Sequence, residues 1–147
     1  MRRRRAAWAL AATLAATGAA GEPFDLFRQP DVAERMARLY NERDAGALHA
    51  MLAPDLRALY PPERLSRILG LCRALTHDIL RLSPPTFPSM NARNVAFFSA
   101  SAETGLFELV VEIDPDSRIL RLLLSDRLDA PEQPCLIGRT PPGSGRP

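Results

Sequence analysis

The chain has 147 residues, of which 46% are hydrophobic and 24% charged, a length and composition typical of one globular domain. The formal net charge of +2 depends on four arginines at positions 2–5; the rest of the chain has 15 arginines against 17 acidic residues, a net charge of −2. That remainder has no general attraction to phosphate, so a nucleic-acid partner is excluded from our expectations.

The first 21 residues have the layout of a secretory signal peptide. Arginines at 2–5 precede an apolar run at 6–16, and small residues follow at 17–21. The apolar run is too short to cross a bilayer, which needs roughly 20 residues. We therefore predict a cleaved signal peptide over residues 1–21, no stable membrane anchor, and a periplasmic or secreted protein. The alternative is an ordinary N-terminal helix.

A linker at residues 22–30 precedes the first predicted helix. Asp31 stands at the expected cap position, and Glu34 three residues later completes a capping-box pattern. The helix is predicted to end near Arg43. Its apolar residues recur at helical spacing and share one face: Val32, Met36, Leu39 and Tyr40.

Two further helices are predicted. Asp44 can cap the second, and Pro54 ends it. The proline pair at 61–62 suits the first turn of the third. We extend this helix to about Leu75, although Gly70 offers an alternative end point because glycine weakens a helix interior.

From His77 onward, apolar residues recur at every second position, which predicts strands. We expect four of them, at residues 77–83, 92–103, 105–114 and 117–126. The proline-rich stretch after the first strand is a loop, because proline cannot donate a hydrogen bond to a paired strand. The sequences ETG and DPDS are short connections typical of hairpins.

Strand alternation assigns side chains to the two faces of the sheet. Leu80 and Leu82 share a face of the first strand. Glu108 or Glu112 is expected opposite Arg121 on the outer surface. The predicted inward residues of the last two strands are all apolar: Phe107, Leu109, Val111, Ile113, Leu120, Leu122 and Leu124.

These elements predict an α+β domain over residues 31–128, with three N-terminal helices packed on a four-stranded antiparallel sheet in two layers. Residues 129–147 form a Pro/Gly-rich tail, which we expect to be partly disordered.

The stretch LYNERDAGALHAMLAPDLRALYP contains, in order, the end of a helix, a short turn, a second helix, an acidic residue and a proline. Together with PPERLSRILG and the closing DPDSRILRLLLSD, it resembles the nuclear-transport-factor-2-like superfamily, which includes ketosteroid isomerase. It looks closest to a branch of exported bacterial domains of unknown function that is sometimes attached to serine hydrolases. The resemblance covers roughly residues 31–126. The matching positions are Asn41, Asp44, Leu48, Leu52, Asp55 and Pro61.

This resemblance implies that a curved sheet and the helices enclose a cone-shaped cavity. Family members include isomerases, dehydratases, ligand binders and inert scaffolds, so function has to be argued from the residues that line the cavity. We expect the lining to comprise Tyr40, Phe98, Phe107, Leu109, Val111 and Leu122.

An isomerase of this type needs a general base and a hydrogen-bond donor that face the cavity. Asp78 is the candidate base and Tyr40 the candidate donor; the alternative is that Asp78 ends a strand and Tyr40 is a core ring. His49 and His77 have no cysteine or carboxylate nearby at metal-ligand spacing. We therefore predict no metal site and no cofactor.

Cys72 and Cys135 are the two cysteines of the chain. In an oxidising compartment such a pair suggests one disulfide bond. The alternative is that Cys72, on the apolar face of the third helix, is a buried free thiol.

The functional prediction is an exported, non-enzymatic domain that binds an apolar small molecule or a partner protein of the cell envelope. A homodimer is a further option. Two alternatives stay open: a small isomerase or dehydratase that uses the same cavity, and a structural accessory to a cell-envelope hydrolase.

Overall fold

The structure, a computed structural model, describes residues 23–139. The predicted signal peptide at 1–21 and the end of the predicted tail at 140–147 lie outside the described residues. The described part is an α+β fold, which confirms the predicted class. It has four α-helices and an open five-stranded antiparallel sheet, where three helices and four strands were expected.

The helices extend from a short 3-10 turn to the start of the sheet. The predicted second helix ends before Pro54, as expected, but Pro54 then begins a short additional helix that was not predicted. Proline is tolerated in a first turn, where its missing N–H is not needed. No helix within residues 23–139 is long and apolar enough to span a bilayer. The elements are the 3-10 turn (Asp25–Arg28), α1 (Val32–Glu42), α2 (Ala45–Met51), α3 (Pro54–Leu59) and α4 (Pro62–Thr76).

Of the two predicted helix caps, one forms and one does not. The Asp44 carboxylate accepts a hydrogen bond from the backbone N–H of Ala47 at 2.9 Å, which confirms the cap of α2. Asp31 occupies the cap position of α1, but its side chain makes no capping hydrogen bond, so the predicted capping box does not form. Gly70 lies inside α4, which continues to Thr76.

The five strands follow one another across the sheet in chain order, each antiparallel to the next. The fifth strand was not predicted and lies within the Pro/Gly-rich tail at 129–147, which was expected to be partly disordered. It is short and follows a proline-rich segment, so it has too few residues to show a two-residue period. The strands are β1 (Ile79–Leu82), β2 (Val95–Ala102), β3 (Gly105–Ile113), β4 (Ile119–Ser125) and β5 (Leu136–Gly138).

Strand β3 alternates as predicted. Leu109, Val111 and Ile113 are buried against the helical layer. On the opposite face, Glu112 lies across from Arg121 of β4, which confirms one of the two pairings expected there.

Two leucines lie on the face opposite to the predicted one. The pairing of β1 with β2 is irregular after Ile79, and Leu80 is 68% exposed while Ile79 and Leu82 are buried. A second irregularity near the start of β4 leaves Leu120 38% exposed and Ile119 buried. Each irregularity adds one residue to a strand, and one extra residue reverses the alternation that follows.

The core extends beyond the predicted domain limits of 31–128. Leu26 and Phe27 of the 3-10 turn are buried, and the ring of Phe27 packs 6.3 Å from that of Phe98, centroid to centroid. Ile137 of β5 is also fully buried. The segments predicted as linker and tail therefore supply part of the hydrophobic core.

A side chain from the helical layer covers each edge of the sheet. At β1, the Asn41 amide donates to the backbone oxygen of Ile79 at 2.9 Å and accepts from its N–H at 2.8 Å. At β5, the Tyr60 hydroxyl donates to the backbone oxygen of Gly138 at 2.8 Å and accepts from its N–H at 3.2 Å. Exposed edges invite pairing with other chains, and these contacts occupy the backbone N–H and oxygen of one residue at each edge.

Cys72 of α4 and Cys135, just before β5, form a buried disulfide with their Cα atoms 5.1 Å apart. This confirms the predicted pairing over the free-thiol alternative. The bond ties the longest helix to the last strand. A buried disulfide is consistent with an oxidising, extracytoplasmic location.

Candidate functional site

Tyr40, the predicted hydrogen-bond donor, lies in the hydrophobic core. Its side chain is buried, and its hydroxyl has no hydrogen-bond partner within residues 23–139. Burial raises the pKa of this hydroxyl above its usual value, because the charged form would be desolvated. Tyr40 therefore stays uncharged across the physiological pH range.

Asp78, the predicted base, lies at the corner where α4 meets β1. Its carboxylate is about half exposed and lies 2.5 Å from the Arg73 guanidinium. Its backbone N–H donates to the carboxylate of Glu103 at 2.9 Å. In the described part of the chain no hydrogen bond joins Asp78 to Tyr40. The ion pair and the backbone contact give Asp78 a structural role at this corner.

The six predicted pocket-lining residues divide into two groups. Phe107 is partly exposed and lines surface clefts. The other five belong to the buried core cluster, where each packs among apolar neighbours: Tyr40, Phe98, Leu109, Val111 and Leu122.

Two adjoining clefts flank Phe107, at the end of the sheet where β3 begins and β4 ends. We call one the Leu106 cleft; it has a volume of about 470 Å³, and Leu106 and Leu128 are among its walls. The other, the Leu75 cleft, has a volume of about 460 Å³ and is lined in part by Leu75 and Pro134. We refer to both as the Phe107 clefts. Each falls within the range of roughly 300–1,000 Å³ that is typical of ligand sites. Four residues line both: Phe107, Ser125, Asp126 and Arg127.

The loop at residues 126–134 contributes to the walls of both clefts and is held by its own hydrogen bonds. The Ser125 hydroxyl accepts from the backbone N–H of Arg127 at 3.0 Å and donates to its oxygen at 2.9 Å. The side-chain amide of Gln133 donates to the same oxygen at 2.8 Å and to that of Ala130 at 3.1 Å. These bonds fix the loop without a ligand, so the clefts are preformed.

Acidic side chains surround the apolar walls. Arg127 is the one basic side chain among the described residues that line the Phe107 clefts. Within residues 23–139, none of the four carboxylates makes a hydrogen bond or an ion pair. Their charge is therefore available to a ligand. The four acids are Glu108, Asp126, Asp129 and Glu132.

Sequence reasoning identified Phe107 but missed the loop at 126–134, which was divided between the end of a strand and a tail. The signal was the alternation of acidic and apolar residues in SDRLDAPEQP, directly after the last predicted strand. Only the pairing of β3 with β4 brings this loop beside Phe107.

The two histidines lie elsewhere. The Nε2 atom of His49 is 3.3 Å from the backbone oxygen of Arg57, and a ring nitrogen of His77 is 3.9 Å from the Glu103 carboxylate. No group of three potential metal-ligating side chains occurs within the described residues.

No protein-family model, curated protein sequence or solved structure matches this chain. Membership of the nuclear-transport-factor-2-like superfamily therefore stays a prediction that rests on the residues quoted for it. The site has to be interpreted from its own chemistry. Apolar walls and unpaired carboxylates suit the binding of an apolar group, with a preference for positive charge beside it.

Proposed function

We propose that this protein is an exported, non-catalytic binding domain that holds an apolar molecule, or an apolar segment of an envelope protein, in the Phe107 clefts. The observation that carries the proposal is the environment of Phe107. It is the one predicted pocket-lining residue that lies at the surface, and it does so between two preformed clefts.

Three features support export. The first 21 residues have the order of a secretory leader. The chain without them has a net charge of −2, so the basic character of the full sequence belongs to the leader. The disulfide between Cys72 and Cys135 requires an oxidising environment to form and persist.

We also propose that the sheet and the helices form the cone-shaped cavity that the family resemblance implies. An open antiparallel sheet with helices packed on one face supports it. In that arrangement the Phe107 clefts would lie at the mouth of the cone, because they occupy the end of the sheet where α4 terminates and β3 begins.

Binding of the neutral dye Nile red tests this function. We expect the protein to increase the dye's fluorescence and Phe107→Ala to reduce the affinity by about tenfold, since part of the apolar contact is lost. Phe87→Ala is the matched control, because Phe87 is a surface phenylalanine in a different cleft.

Leu106→Ser with Leu128→Ser provides a second test in case Phe107→Ala unfolds the protein. Leu106 is 78% exposed and Leu128 41%, so the double variant should fold normally. Its affinity for the dye should nevertheless be lower than that of the wild-type protein. Dye affinity that is unchanged in this folded double variant would reject the clefts as the binding site.

A further inference from the structure

We propose that the Phe107 clefts recognise a basic amphipathic segment of a partner protein, one that presents large apolar side chains beside arginine or lysine. This inference rests on the proposed binding function and specifies the chemistry of the ligand. It is carried by the charge of the clefts together with the exposure of the leucines at their rims.

The net charge of the clefts favours a positively charged ligand. Four carboxylates and one guanidinium line the two clefts, which leaves three net negative charges around the apolar walls. Because these carboxylates have no partner in the described part of the chain, a cationic ligand gains their attraction without breaking an existing ion pair. Phosphate-bearing ligands and anionic lipid surfaces would be repelled.

The apolar surface selects a segment larger than a simple cation. Leu106 is 78% exposed, Leu75 43% and Leu128 41%, and all three lie at the edges of the clefts. Exposed leucines grouped around partly buried Phe107 mark a site for apolar contact. Two side chains a few residues apart on one peptide can occupy the two clefts, with their basic neighbours at the acidic rim. A guanidinium can also lie over an exposed face of the Phe107 ring.

A second copy of this chain does not suit the same surface. A symmetric dimer formed through the Phe107 clefts would place the acids of one protomer against those of the other. Like charges in contact disfavour such an interface.

Fluorescence anisotropy with a short labelled peptide in which arginines alternate with leucines tests the inference, using protein expressed from the full 147-residue sequence. We expect a Kd on the order of 10 μM, as for a small interface, and weaker binding at high salt. Peptides with serine in place of leucine, or glutamate in place of arginine, should bind at least about tenfold more weakly.

Protein variants locate the contact. Asp126→Asn with Asp129→Asn should weaken peptide binding about fivefold, because two carboxylates at the rim lose their charge. Asp116→Asn with Glu63→Gln is the matched control: it removes two exposed charges away from the clefts and should leave binding unchanged. Leu106→Ser with Leu128→Ser should weaken binding about tenfold, whereas Leu80→Ser, at another exposed leucine, should not.

Several results would overturn the inference. If the cleft charge variant and its control lose the same amount of peptide affinity, the attraction is nonspecific. If the serine peptide binds as tightly as the arginine–leucine peptide, the clefts contribute no apolar contact. If the protein forms a dimer that persists in the presence of the peptide but is lost in Leu106→Ser, the occupant of the clefts is a second copy of this chain. If Nile red binds in the clefts but the arginine–leucine peptide does not, the basic ligand is wrong and the proposed binding function remains; if neither binds, both fail.

Discussion

Gly138 illustrates how a single residue can be restricted by contacts that are distant in the sequence. Its φ of 146° lies in a region that side-chain-bearing residues rarely adopt, and a Cβ atom there would lie 3.2 Å from the Cα of Arg121. Gly70 is the opposite case, because a Cβ atom added there meets nothing within 4 Å. The sequence alone does not distinguish these two glycines.

We expect Gly138→Ala to destabilise the protein by about 1–3 kcal/mol, from the unfavourable φ and the contact with Arg121. Gly70→Ala should stabilise it by up to about 1 kcal/mol, because alanine favours an open position in a helix. Urea denaturation of the two variants measures both changes. A stabilising Gly138→Ala would show that the last strand does not hold this backbone conformation.

Among the secondary-structure elements, the edge strands depend on the helices beside them. Asn41 at the end of α1 makes two hydrogen bonds to the backbone of Ile79, and its own backbone oxygen accepts one from the Arg73 side chain at 2.7 Å. The same Arg73 pairs with Asp78. Asn41 was a matching position for the family resemblance; in the structure it joins α1, α4 and β1.

Asn41→Ala should cost about 2 kcal/mol of stability, since two hydrogen bonds are lost and the Ile79 backbone groups are left without partners. Asn91→Ala, in the exposed loop before β2, is the control and should be nearly silent. Hydrogen exchange at the Ile79 amide should also be faster in Asn41→Ala. Equal stability of the two variants would contradict the role of Asn41 in covering the sheet edge.

At the scale of the whole molecule, the disulfide and the core connect segments from both ends of the described chain. The 3-10 turn at 25–28 and the strand at 136–138 contribute buried residues to one hydrophobic cluster. The link between α2 and α3 also contacts the sheet, where the Ala53 N–H donates to the Ile119 oxygen at 2.9 Å. The helical layer and the sheet are therefore expected to unfold together.

Removing the disulfide with Cys72→Ala and Cys135→Ala should reduce the free energy of unfolding by about 4 kcal/mol, the chain-entropy value for a closed loop of this size. A reducing agent should destabilise the wild-type protein to a similar extent and leave the double variant unaffected. Thermal unfolding with and without dithiothreitol measures both effects. Two free thiols in the unfolded, unreduced wild-type protein would disprove the bond.

The sequence by itself determined the order of helices followed by strands and the inward face of β3, and it indicated a disulfide between two cysteines that the structure then decided over a free thiol. These features follow from local periodicity and from residue chemistry, which are properties of neighbouring positions. Of the candidate site it indicated Phe107, because strand alternation assigned that residue to the apolar face.

Only the tertiary structure decided the orientation of Leu80 and Leu120, the existence of β5, and the position of the 126–134 loop beside Phe107. A single extra residue in a strand reverses the faces without changing the local composition. A three-residue strand is specified by its partner and by the Tyr60 hydroxyl, both far away in the sequence. The clefts arise where the pairing of β3 with β4 brings the 126–134 loop beside Phe107, a long-range arrangement that no local pattern could specify.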